Sequence, residues 1–289
     1  MTIDLRQFSS TLTPGPDGVW YGDRADAISY PQGGNEACLA VEEGSFWFQH
    51  RNRCICAALQ RYPPQGVLFD LGGGNGFVSL ALRGDGHQVV LVEPGLAGAL
   101  AGRRRGLVPV ACATLHSAGF REGSLPAVGL FDVVEHVQDD VAFLRQVAEA
   151  LLSSGRVYIT VPAYRFLWSS EDQAAGHWRR YSCESLVQAV EKAGLTVEYT
   201  SYFFRWLPLP IFLLRTLPSR LGFGQGRAAV NPARAHAGGP AVLRRWVEQS
   251  LQREAEAIGS GARLGFGGSV LLVASRPQRA SDAAARAVS

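Results

Sequence analysis

The sequence predicts an α/β fold: a mostly parallel seven-stranded sheet with an antiparallel last strand, extended by helical N-terminal and C-terminal additions. Three observations carry this. Strand-like and helix-like segments alternate between residues 67 and 203. A glycine-rich turn at 72–76 joins the first strand of that series to its first helix. After the alternation breaks, an apolar segment at 268–275 returns with the composition of a buried strand.

The elements follow in order. Residues 1–43 are rich in Gly, Pro and polar side chains and predict an irregular arm. A helix is expected over 44–61, where Phe46, Ile55 and Leu59 recur at near-helical spacing and Pro63-Pro64 stops the run. Arm and helix form a unit over 1–62, with the helix placed as a lid. The core, 63–204, reads strand 67–71, turn 72–76, helix 77–83, strand 88–92, helix 95–105 and strand 107–112. It continues with strand 127–134, helix 139–152, strand 156–161, helix 182–193 capped by Gly194, and strand 195–203. A helical insertion over 205–267, including a helix at 240–258, is expected to build one side of the ligand pocket. The last strand, 268–276, is expected at the antiparallel edge of the sheet. The tail, 277–289, is Ala/Arg/Ser-rich and reads as disordered.

Composition narrows the function classes. A net charge of +3 gives no nucleic-acid signal, although residues from 200 onward hold twelve Arg, no Lys and four acids. Such a basic third suits an anionic acceptor, an anionic surface or a plain solvated face. Lys192 is the lone lysine, so a lysine base is nearly excluded. Five cysteines and an opening without a basic-then-apolar run predict a reducing, cytoplasmic compartment. Cys54 and Cys56 lack the partners of a zinc ribbon. The longest apolar run, WLPLPIFLL at 206–214, is well short of the ~20 residues a spanning helix needs. Within 203–217 it suits peripheral membrane contact, an acceptor tunnel or internal packing.

The informative segment is VLFDLGGGNGF at 67–77. An apolar strand reaches Asp70; Gly72, Gly73, Gly74 and Gly76 follow, and a helix starts at Phe77. Glycines there allow positive φ and close backbone approach to a ligand, and the helix start offers free N–H groups to an anion. The dinucleotide pattern G-x-G-x-x-G fails in both frames, its third glycine falling on Phe77 or Ser79. The next strand ends in Glu93-Pro94, and a carboxylate there can accept from both hydroxyls of a ribose; NAD ribose is an equal reading of that residue alone.

DLGGGNG with Glu93 resembles the first motif and acidic partner of class I S-adenosylmethionine-dependent methyltransferases. The stretch 129–163, GLFDVVEHVQDDVAFLRQVAEALLSSGRVYITVPA, is similar to the fourth-strand motif of their small-molecule branch, which includes the ubiquinone-biosynthesis O-methyltransferases. The resemblance spans about 67–203. It implies a Rossmann-like core with S-adenosylmethionine as cofactor. Asp70 would hold the ammonium, the glycines the carboxylate, and Glu93 the ribose. Asp132 and Val133 would lie near the sulfonium. At the adenine position the chain has Ala113-Thr114-Leu115 where the family often has an Asp, leaving Leu115 to stack on the ring.

On the acceptor side the candidate catalytic bases are His136, after the fourth strand, and His177, in a loop after the fifth. Trp178, Arg179 and Tyr181 in that loop, with Tyr164 and Trp168 before it, suit an anionic or ring-bearing acceptor. Trp47, His50 and Arg51 on the lid helix complete the set. No metal centre is expected, with Asp132, Glu135 and His136 as the alternative ligand set for a divalent cation. The function that unites these residues is methyl transfer to a small, hydrophobic or anionic, even lipid-like, acceptor. A nicotinamide-dependent oxidoreductase, a donor-binding protein without turnover and an aminopropyl transferase are the alternatives. Nucleic acid is not an expected partner.

Overall fold

Alternating apolar strands and amphipathic helices fold here as the 3.6- and 2-residue periods dictate. The computed structural model describes residues 3–23, 34–39, 42–221 and 241–278. β1 (Thr13–Pro14), β2 (Val19–Tyr21), α1 (Gly34–Leu39) and α2 (Phe46–Arg61) come first. The core then runs β3 (Leu68–Leu71), α3 (Phe77–Gly84), β4 (Val89–Val92), α4 (Leu96–Arg104), β5 (Val110–Cys112), β6 (Leu125–Phe131), α5 (Asp140–Ala150) and β7 (Leu151–Pro162). α6 (Ser170–Ala174), α7 (Cys183–Lys192) and β8 (Thr196–Phe203) complete it. Beyond lie α8 (Pro208–Ile211), a π-helical turn (Phe212–Thr216), α9 (Leu217–Arg220), α10 (Ala241–Gly259) and β9 (Ser269–Ser275).

One sheet holds nine strands in the order β1-β2-β5-β4-β3-β6-β7-β9-β8. The seven expected strands are β3 to β9. The other two correct the reading of the arm as irregular. β2 pairs in parallel with β5, and β1 turns back antiparallel on β2. Two- and three-residue strands are too short to show a period. Their turn is set instead by Gly18 at φ +77° and by Tyr21, whose hydroxyl donates to Asp17 at 2.6 Å. β9 is also not an edge. It lies antiparallel between β7 and β8, and six of its seven residues are buried, which explains its unbroken apolar run.

The chain leaves β3 for β4 and β5 on one side, then crosses to β6 and β7 on the other. The two directions part between β3 and β6, opening a crevice beyond the C-terminal ends of these strands. Alternate residues of β3 feed two cores. Phe69 and Leu71 pack with α5 and α7 residues, and Leu68 packs with Ile55 and Leu59 of α2 and Ile258 of α10.

α10 therefore docks on α2. Between them the buried Glu254 carboxylate accepts from the Phe204 and Arg205 amides at 2.7 and 3.0 Å and meets His50 Nε2 at 2.6 Å. It holds the chain where Phe204 takes φ +63°. Residues 222–240 of the expected insertion and the expected disorder of 279–289 lie outside the described residues. Among the described residues no helix is long and apolar enough to cross a membrane.

Glu254→Ala strands two buried amides and an imidazole without their acceptor. Urea unfolding should show a loss of about 2–4 kcal/mol, whereas a loss within experimental error would mean that α10 docks by apolar contact alone.

Candidate active site

The crevice holds a cavity of about 700 Å³. Asp70, in β3, is fully buried on its wall. Its Oδ2 accepts from Ser79 at 2.6 Å, while Oδ1 has no hydrogen-bond partner among the described residues. Burial pushes this carboxyl up to about 6, against the Ser79 bond and Arg51. The glycines bend the chain around it. Gly72 sits at φ +69° and Gly74 at φ +57°, and a Cβ on Gly73 would stand 2.6 Å from Asp70 Oδ2. Gly76 does not line the cavity. It caps α3 at φ +75°, and a Cβ there would strike Leu107 at 2.4 Å, so its part is packing. Phe77 is also off the cavity, its ring set edge-on to Phe48 and under the Arg105 guanidinium.

Glu93 follows directly on β4, two residues past Leu91, the register partner of Asp70. It accepts from the Gly74 and Gly95 amides at 2.9 and 2.8 Å and from Asn35 Nδ2 at 3.3 Å. Burial raises its pKa and these bonds oppose the rise. Pro94, Thr114, Leu115 and Val133 line the cavity beyond it.

At the end of β6, Asp132 takes φ +59°, a conformation Asp tolerates better than most residues. Arg51 donates to its Oδ2 at 2.5 Å and Thr160 to its Oδ1 at 3.1 Å. Trp47 and Arg51, four residues apart on α2, face the cavity together, and the guanidinium lies 5.0 Å from the Trp47 ring centre. His50 points to the other face of the helix. It is buried against Glu254 and Cys54 and, contrary to expectation, does not line the cavity.

After Asp132 a short 3-10 turn (Val134–His136) sends Glu135 inward and His136 to the cavity. Glu135 is 1% exposed, and its Oε2 has no partner among the described residues. Burial, then Asp132, raises its carboxyl well above the usual range. Burial, then His177, lowers His136 to about 4. The two imidazole centres stand 4.8 Å apart. His177 Nδ1 meets Asp172 Oδ1 at 2.9 Å. Burial works to raise Asp172, but bonds from His177 and Arg180 hold it at about 2.

In the following loop Ala175, His177 and Trp178 reach the cavity. Arg179 is drawn off to the Gln138 carbonyl and Asp140, and Tyr181 donates to Asp140 at 2.7 Å. Tyr164 stacks between Phe166 and Tyr202. Trp168 ends a 3-10 turn away from the lining. None of these four expected acceptor contacts lines the cavity. No described residue of 205–267 lines the cavity either, because α10 is spent on supporting α2. Sequence reasoning missed Asn35 and Glu42, which close the glycine loop from the N-terminal side by accepting from Asn75 within it. It also missed the Arg51–Asp132 pair, which joins positions with no local relation. The Asp172–His177 pair had a readable signal: Ser169 and Asp172 form a capping box.

Residues 47–200, more than half of the chain, match a family model described as a methyltransferase domain. The chain belongs to the methyltransferase-domain family, in its class I, S-adenosylmethionine-dependent form. No curated protein matches the chain. Several solved structures share the fold of this methyltransferase. A chain of the complex containing the Haloferax volcanii Trm112 methyltransferase activator is 17% identical, with 85% of this chain and 98% of that one covered at a TM-score of 0.56. Haemonchus contortus phosphoethanolamine N-methyltransferase 2, solved with S-adenosyl-L-methionine, is 19% identical, with 86% and 58% covered at 0.52. The [4+2]-cyclase SpnF is 17% identical, with 81% and 83% covered at 0.52. At these identities the likeness is one of fold, and the cyclase marks how little a fold says about the acceptor.

Asp70 is stabilised less in the folded chain than in water once ionised. Its folded pKa, about 6, exceeds the unfolded value near 3.9, so stability falls as pH rises between the two and the deficit persists above 6. Asp70→Asn, which keeps an acceptor for Ser79, should stabilise the ligand-free protein by about 1–3 kcal/mol at pH 7.5 and hardly at all at pH 4. Equal melting curves at pH 7.5 would refute the burial argument.

Proposed function

We propose that this methyltransferase moves a methyl group from S-adenosylmethionine to a small acceptor that is hydrophobic or anionic. The observation that carries the reading is one cavity bearing a buried carboxylate oxygen without a partner, on Asp70, and a second carboxylate on the next strand, Glu93. An unmatched acceptor oxygen beside a glycine wall fits an ammonium, and the N–H groups that open α3 fit the adjoining carboxylate. Glu93 has lone pairs left for ribose hydroxyls, and Pro94, Thr114, Leu115 and Val133 supply the walls of the adenine slot.

When bound, S-adenosylmethionine supplies an electrophilic methyl group on a sulfonium. The chain aligns the acceptor and keeps water out. Arg51 neutralises Asp132, Trp47 and Trp178 give apolar walls, and α2 covers the cleft as a lid. His136 and His177 meet the acceptor's nucleophilic group at the far end.

Calorimetric titration tests this directly. S-adenosylmethionine and S-adenosylhomocysteine should bind, Asp70→Ala should abolish binding and Glu93→Ala should weaken it at least ~tenfold. Because an ionised Asp70 is required, donor affinity should fall as pH drops below about 6. Binding of NAD in place of the donor pair would sink the reading.

A lipid-like acceptor has support of its own. Trp206, Leu209, Leu214 and Leu221 are between 54% and 69% exposed on one basic, apolar segment. We infer peripheral membrane contact through 203–217. The protein should co-sediment with anionic phospholipid vesicles, and a Leu209→Ser, Leu214→Ser double variant should lose most of that binding. Equal recovery of both proteins in the supernatant would end the idea.

A further inference from the structure

We infer that Glu135, His136 and His177 form a site for one divalent first-row transition-metal ion at the acceptor end of the cavity. One ligand atom from each lies within 4.8 Å of the others, drawn from two chain segments. Those segments are locked together where the Trp178 amide donates to the Glu135 carbonyl at 2.8 Å. All three residues line the cavity.

Two further observations point to a cation. Glu135 is buried, its Oε2 has no hydrogen-bond partner among the described residues, and one oxygen of the same carboxylate belongs to the group. A desolvated carboxylate oxygen left unmatched is costly unless something positive meets it. Behind His177 stands Asp172, 2.9 Å from Nδ1, itself gripped by Arg180 and by the Ser169 amide. That carboxylate sets the N–H on Nδ1 and the lone pair on Nε2, the arrangement that supports metal-binding imidazoles.

The ligand set also differs from the one the sequence spacing offered. Asp132 is withdrawn, because Arg51 holds one of its oxygens and Thr160 the other. A second cluster, His50, Cys54 and Glu254, is no rival, since both Glu254 oxygens already serve backbone amides behind α2. Two imidazoles and one carboxylate favour zinc, iron, manganese or cobalt over magnesium and calcium, which want oxygen ligands throughout. Three protein ligands leave coordination positions open to the cavity. Resting on the methyl-transfer reading, the ion's role there is to take the acceptor's oxygen or nitrogen and lower the pKa of its proton, which leaves to solvent.

The test uses the full chain, stripped by a chelator and titrated with Co²⁺, reading the visible d–d absorption. S-adenosylhomocysteine binding is measured on the same samples. One Co²⁺ per chain should bind and be displaced by Zn²⁺. His136→Ala and His177→Ala should remove the visible band while S-adenosylhomocysteine affinity and the melting transition persist. Asp172→Asn should weaken Co²⁺ by ~10–100-fold. If an alanine variant fails to fold, Glu135→Gln, nearly isosteric, carries the same test. A wild-type chain that binds S-adenosylhomocysteine but gives no saturable Co²⁺ band overturns the inference and leaves the imidazoles to act on the acceptor's proton directly. So does Co²⁺ binding that survives the substitutions. Co²⁺ binding by a chain that ignores S-adenosylhomocysteine would keep the metal site and remove the donor reading instead.

Discussion

Four of the five carboxyl groups that line the cavity gather at the strand ends, and the rest of the site is arranged around keeping them there. Asp70, Glu93, Asp132 and Glu135 all stand at or just beyond the ends of β3, β4 and β6. Like charges in low dielectric cannot be left to one another. Each has its own settlement. Glu93 is met by two backbone amides and Asn35, Asp132 by Arg51 and Thr160, and Asp70 by Ser79 on one oxygen only. Glu135 keeps an unmatched oxygen. The settled pair shape the cavity, and the two unmatched oxygens are the places where the proposed positive ligands would be met. One lies at the donor end and the other beside the histidines.

The supports of that cavity reach far from it. Arg51 can meet Asp132 only because α2 is held in place, and α2 is held by α10 through apolar contact and the buried Glu254 carboxylate. The late insertion thus serves the site at one remove. It braces the helix that carries Trp47 and Arg51 without itself lining the cavity among the described residues. The same economy governs the loop around His177. Arg179 and Tyr181, expected as acceptor contacts, and Arg180 between them tie the loop to Gln138, Asp140 and Asp172, and so aim His177 and Trp178.

Much of this was legible in the sequence, for identifiable reasons. The core strands and helices were readable because their periods are long enough to show, and the glycine turn because its spacing answers to local backbone geometry. β1 and β2 were not readable. Two or three residues carry no period, and β2 joins the sheet only because β5 offers an open edge. Gly76 and Phe77 sit inside the motif yet work in packing, a distinction that depends on Leu107, Phe48 and Arg105 arriving from elsewhere.

By itself the sequence determined the order of strands and helices, the buried run that becomes β9, and the chemistry of the glycine loop with Asp70 and Glu93. These depend on neighbours in the chain, where periodicity and φ/ψ limits act directly. The tertiary structure alone decided that β9 enters between β7 and β8, that His50 turns away while Arg51 turns in, and that Asp132 is claimed by Arg51 while Glu135 is left with His136 and His177. Those outcomes join residues tens of positions apart. Which buried charge finds a partner is settled by packing, and no local pattern encodes it.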